Sequence, residues 1–205
     1  MFQFANPATK LPAFNMQEPT HILTGVIIQK SFEGSKHPKL DLGLTAVIGF
    51  LSHGFLDKLA NLTYHPAQPD FHSPIWIGYH SFVVVATIAF LVLWWRKFKW
   101  GIIFACLPDA DWIFIHGREL FNYLFHTQSH FYSRPYIHNF DGYIWEHLPP
   151  FSFVTPFLDH LPSLRHNPWA CVFEFVLVAF LLLVLKLIAM GKRTPLRNDR
   201  ERTNY

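Results

Sequence analysis

Two cysteines in 205 residues, Cys106 and Cys171, exclude a disulfide framework, and both stand inside apolar runs where a thiol serves as a packing residue. Charge is also scarce: Asp, Glu, Lys and Arg make up 15% of the chain, against about 25% in soluble domains, which argues against a water-soluble fold. No internal repeat or low-complexity tract is present, which sets aside solenoids and flexible arrays. Strands are not expected. The opening stretch MFQFANPATKLPAFN lacks a basic region followed by an apolar run and a small-residue cleavage site, so no cleavable signal is expected there.

What the chain does have is apolar sequence gathered in blocks. Hydrophobic residues make up 51% and aromatics 18%, with 22 Phe and 7 Trp. The blocks IWIGYHSFVVVATIAFLVLWW (75–95) and WACVFEFVLVAFLLLVLKLIA (169–189) each reach the roughly 20 residues that a bilayer core demands of a helix. Two more, LDLGLTAVIGFLSHGFLDKLANL (40–62) and WGIIFACLPDADWIFIHGRELF (100–121), carry ionisable residues near their middles. A fifth, HILTGVIIQ (21–29), is too short to span and reads as a re-entrant or tilted helix. The expected fold is all-α: a polytopic membrane helical bundle of four to five helices, one of them broken at Pro108, forming a single integral membrane domain over residues 1–205.

Net charge is +3, and its placement sets the topology. The basic clusters RKFK (96–99) and KRTPLRNDRER (192–202) each follow an apolar span, which puts both on the cytoplasmic side. The basic tail over 190–205 then reads as a topology anchor, and no nucleic-acid partner is expected. Residues 122–168 fall outside as a loop rich in Pro, His and aromatics, with one or two short helices against the membrane surface. Its histidines at 126, 130, 138 and 147 read as interfacial side chains with apolar bodies and polar tips; the competing reading makes them a completing set of ligands.

Ionisable residues inside apolar blocks need a reason, because a lone charge in lipid costs several kcal/mol. His53 and Asp57 are four apart and share one helix face, about 5–6 Å apart at Cβ. That geometry suits two ligands of one metal ion, or an imidazole oriented by a carboxylate in a private hydrogen-bonded pair. In LPDADW (107–112), Asp109 and Asp111 point to different sides of a regular helix, but Pro108 favours a break with a new helix starting after it. Both acids then sit in a first turn, either as cation ligands lining a cavity or as plain partners of the helix dipole at a membrane boundary.

The topology, drawn from Lys and Arg alone, brings His21, His53, Asp57, Asp109 and Asp111 to the outer leaflet. His72 and His80 flank the outer end of the 75–95 span, and Glu174 enters the final span with its role open. Imidazole together with carboxylate suits Zn²⁺, Mn²⁺ or Fe²⁺ better than the oxygen-only preferences of Ca²⁺ and Mg²⁺, so a divalent metal, Zn or Mn, is the expected cofactor. Its chemistry would be hydrolysis of a phosphate or ester, from a small molecule or a membrane lipid.

Three motifs, Thr20–His21 with Gly25, GFLSHGFLDKL (49–59) and LPDADWI (107–113), together resemble the membrane-bound metal-dependent hydrolases, a bacterial and archaeal group related in motif to zinc-dependent phospholipase C-like proteins. The resemblance implies His21, His53, Asp57, Asp109 and Asp111 as ligands, a hydrolase activity and a bacterial inner-membrane location. The motif order is altered: in that family the LPDxD element precedes the HxxxD helix and is followed by a histidine, where Trp112 follows Asp111 here. HTQSHF (126–131) echoes the family's threonine-histidine-serine element. Two other classes stay open from the sequence. A transporter or ion conductor requires polar residues continuing to the cytoplasmic side, and a structural membrane protein would use the His–Asp contacts only to fix helix register.

Overall fold

The computed structural model describes residues 18–191 apart from 35, 65 and 67–69. The opening stretch and the basic cluster at 192–202 lie outside the described residues. Seven α-helices form, with no strand among the described residues: α1 (Glu18–Phe32), α2 (Pro38–Leu59), α3 (Pro74–Cys106), α4 (Ala110–Phe125), α5 (Tyr136–His147), α6 (Phe151–Asp159) and α7 (Cys171–Gly191). The all-helical expectation holds, but the count of four to five does not. The expected span at 100–121 is divided between the end of α3 and α4, and the loop at 122–168 contributes α5 and α6 as well as the end of α4.

Three helical stretches, Pro38–Leu62, Pro74–Cys106 and Pro168–Gly191, are long and apolar enough to cross a membrane. Large apolar side chains stand exposed along them, including Val47 and Ile48 on α2, Val84, Val85 and Val92 on α3, and Val176 and Phe180 on α7. Side chains of that size turned outward on every long helix match a lipid-facing surface rather than a wet one. The chain is a membrane protein by this reading.

Helix α3 is not one straight rod. Phe98 leaves helical geometry at φ −121° and ψ 27°. Thr87, Leu91 and Trp95 line one cavity together with Ile102, Ile103 and Cys106, whereas a straight helix would separate Thr87 from Cys106 by about 28 Å. The chain therefore doubles back at the RKFK turn, and residues 99–106 return alongside the longer arm. Gln29 of α1 staples the reversal: its Nε2 donates to the Lys97 carbonyl at 3.2 Å and its Oε1 accepts from the Gly101 N–H at 2.8 Å. Those are backbone groups that the kink removes from the regular helical ladder.

Short as it is, α1 sits at the centre. Its N-terminal half, Pro19 to Leu23 with Gly25 and Val26, is buried. Ile22 and Val26 pack on Phe98 and Ile102, with Phe90, Leu91 and Trp94 from the long arm of α3 closing over them. The crossing is made at Gly25 and Gly101. A Cβ added at Gly25 would come within 2.3 Å of the Gly101 carbonyl oxygen, and one at Gly101 within 2.1 Å of that of Gly25. Backbone meets backbone there, the packing that small residues permit between helices in lipid.

The break expected at Pro108 is present as the three-residue turn between α3 and α4. Helix α5 then folds back onto α2: the Trp145 indole N–H donates to the Leu51 carbonyl at 3.0 Å. Gly54 makes the approach possible, because a Cβ there would lie 2.3 Å from the Trp145 ring and 2.7 Å from Asp141 Oδ2. Helix α6 is tied to the same face by the Lys58–Asp159 ion pair at 2.7 Å.

Candidate metal centre

The residues that sequence reasoning gathered by topology meet at one point, with one exception. His53 and Asp57 share a face of α2, as their spacing requires, with His53 Nε2 3.2 Å from Asp57 Oδ2. The buried start of α1 brings in His21, whose Nε2 lies 3.7 Å from Asp57 Oδ1 and whose ring stacks on His53 with centroids 4.3 Å apart. Asp109 comes from the turn after Pro108. It stands at the N-cap position of α4 without making a side-chain capping bond, and its Oδ1 instead faces His53 Nε2 at 3.6 Å.

Asp111 goes elsewhere. It is fully buried, and its carboxylate accepts from the Tyr132 hydroxyl and from the backbone N–H of His138 at 2.8 Å. One oxygen holds Tyr132 in the preceding loop and the other the start of α5, so Asp111 positions that helix instead of pointing at the cluster. The residue it positions is one that the interfacial reading of the 122–168 loop set aside. His138 Nε2 lies 3.6 Å from Asp57 Oδ2, and its ring meets that of His53 edge-on at 5.6 Å. Asp141, one turn further along α5, is also buried, against Gly54. His138 and Asp141 are three apart and share a helix face, so the spacing HNFD was the available signal. His80 does not join: its ring stacks on Trp76 at 4.0 Å. His72 is exposed. Glu174 is fully buried beside Thr20 on α1.

Two groups of three side chains have the geometry to hold a metal ion, His21–His53–Asp57 and His53–Asp109–His138, each with its ligand atoms within 4.8 Å of one another. His53 belongs to both. Its Nδ1 lies 3.1 Å from the Ala105 carbonyl, a bond it makes as N–H donor, which turns the Nε2 lone pair to the carboxylates. That is the outer-shell arrangement usual for a metal-binding imidazole. Asp57 Oδ1 and Asp141 Oδ1 are buried without a hydrogen-bond partner. Buried carboxylate oxygens left in that state are costly unless a cation satisfies them, so the donor set fits a divalent ion.

Burial also acts on the acids outside the spans. Burial pushes the Asp109 carboxyl up to about 7, with His53 pulling the other way and Asp57 adding to the rise. Burial does the same to Asp141, also to about 7 against the pull of His53. His138 is lowered by burial and is neutral at that pH. Below pH 7 Asp109 holds a proton that an incoming cation must displace. Divalent-metal affinity is therefore expected to rise as pH climbs through about 7, with proton release on binding. Calorimetric titration in buffers of different ionisation heat measures both quantities, and an affinity that stays flat across neutral pH contradicts the assignment.

No family model, curated protein or solved structure matches the chain.

Proposed function

We propose that the chain is a membrane-embedded, metal-dependent hydrolase of a phosphate or ester substrate, a membrane lipid above all. The observation that carries the reading is the pair of three-residue ligand groups joined at His53, with His21 and His53 fully buried. Zn²⁺ or Mn²⁺ suits the mixed imidazole and carboxylate donors. A divalent ion held there supplies a Lewis acid that polarises a phosphoryl or acyl oxygen and acidifies water. Of this chain's side chains, His21, His53 and Asp57 would hold an ion in one group and His53, Asp109 and His138 in the other, while Asp141 offers a carboxyl placed to take up or give a proton near neutral pH.

The transporter reading is weaker, because the polar cluster does not continue through the bundle. Between it and the RKFK turn lie Ile22, Val26 and Ile102, which pack on Phe98 of the turn itself in one apolar core. Placement in a bacterial inner membrane with a cytoplasmic C-terminus completes the proposal, and nucleic acid has no part in it. The test is turnover by the purified, Zn²⁺- or Mn²⁺-loaded protein on phosphate monoesters, phosphodiesters and carboxylic esters presented in mixed micelles. Activity should vanish on chelation and return with the ion. A protein that holds its metal and turns over none of the three classes contradicts the proposal.

A further inference from the structure

Beside the metal centre a cavity of about 720 Å³ runs between α2, the end of α3 and α5, walled by Val47, Phe50, Phe104, Ile137, Phe140 and Ile144. No charged side chain lines it. We infer that this groove holds an acyl chain of a bilayer lipid, with the lipid's polar head directed at the metal centre. The head's placement rests on the hydrolase reading, while the tail's rests on the groove's own walls.

Three observations select that occupant. First, the groove and the ligands lie in line on α2. Ala46, which also lines the cavity, and Phe50, His53 and Asp57 follow one another at spacings of four, three and four, so a single helix stripe is apolar for its first part and ligating for its last. By helix rise the tail region at residue 46 stands about 10 Å from His53 along the axis. Second, the other walls also adjoin the ligands: Phe104 precedes the Ala105 that accepts from His53, Leu107 stands two residues before Asp109, and Ile137 precedes His138. A molecule lying in the groove therefore has one end at the metal centre, which requires a long apolar part joined to a polar one.

Third, the lip of the groove faces lipid. Val47 and Phe140 at its rim are 57% and 58% exposed, and Leu44 and Ile48 beside them continue the outward apolar face of a membrane-spanning helix. Whatever enters sideways comes from the bilayer. The energetic gain over lipid tails is small, since a groove of Phe and Ile is no more apolar than the membrane. What the groove adds is position, fixing one chain so that its head group reaches the ligands.

The test uses the whole protein in phosphatidylcholine vesicles doped with a phosphatidic acid that carries a diazirine near the end of one acyl chain. Cross-linked peptides are mapped by mass spectrometry, and metal content is measured in the same samples. Wild type should label around Phe50 and Phe140 well above the outward face at Val84 and Val85. Ala46→Trp should cut the groove signal several-fold, leave the Val84 and Val85 signal unchanged and keep the metal. Ile144→Trp fills the groove from the α5 side and guards against a folding defect in the first variant. Groove labelling no stronger than at Val84 and Val85, or undiminished in both Trp variants, overturns the inference, as does cross-linking to a second copy of the chain in its place. Groove labelling in protein that binds no metal upholds the acyl site and overturns only the hydrolase reading; bound metal without groove labelling overturns the acyl site and leaves the hydrolase reading to the turnover assay.

Discussion

His53→Ala should release the divalent ion entirely. His53 is the residue common to both ligand groups, so its loss leaves neither with three donors. It also leaves Asp57 and Asp109 facing each other across the space its ring filled, 3.2 and 3.6 Å from the atom removed. Losing an outer-shell partner typically costs about 10–100-fold in metal affinity, and loss of this shared ligand should exceed the upper end of that range. Asp111→Asn is the contrast. Its carboxylate holds the His138 backbone and the Tyr132 hydroxyl, so the variant should keep a stoichiometric ion at somewhat lower affinity. Metal content after gel filtration measures both. If His53→Ala retains the ion, or Asp111→Asn loses it as completely, the division between ligand and positioning residue is wrong.

Gly25→Ala should unfold the bundle and empty the metal centre without touching a ligand. The added Cβ would stand 2.3 Å from the Gly101 carbonyl oxygen, and its neighbours in that direction are backbone, which cannot swing aside. Overpacking of a core usually costs about 1–3 kcal/mol, and a clash against the Gly101 backbone belongs at or above the top of that range. The effect reaches the site because Gly101 is one turn before Ala105, whose carbonyl receives the His53 N–H; pushing the arm away releases the imidazole. Gly78→Ala is the control, since nothing lies within 4 Å of a Cβ there. Thermal unfolding followed with metal occupancy separates the two, and a Gly25→Ala protein with wild-type Tm and full occupancy contradicts the backbone crossing.

The parts of this arrangement visible in the sequence are those fixed by local chemistry. His53 and Asp57 announced themselves because helical spacing puts them on one face of an apolar segment. Pro108 announced the break, and with it the exposure of Asp109 to the cluster. Two local rules misled. First-turn position suggested the same role for Asp109 and Asp111, but side chains two apart diverge by about 200° around a helix, and only Asp109 turns to His53. The loop from 122 to 168 carries no long periodicity, so its composition supports only one or two short helices against the membrane surface and does not place α5 on α2.

His138 and Asp141 were legible only in part: their spacing puts them on one helix face, and a completing set of ligands was one reading of the loop, but nothing local aims that face at His53. They arrive through the docking of α5 on α2, set by Gly54, Trp145 and the Asp111 carboxylate. Those are contacts between segments far apart in sequence, which spacing rules cannot see. The doubling back of α3 was half legible: the RKFK turn marked where the chain meets water, while the staple by Gln29 belongs to tertiary structure alone.

X-ray absorption at the metal edge of the loaded, full-length protein tests the central claim most directly. The account predicts a shell containing at least two imidazole nitrogens together with carboxylate oxygen at about 2.0–2.2 Å, drawn from His21, His53, Asp57, Asp109 and His138. A shell of oxygen alone, with no imidazole scattering, would contradict it.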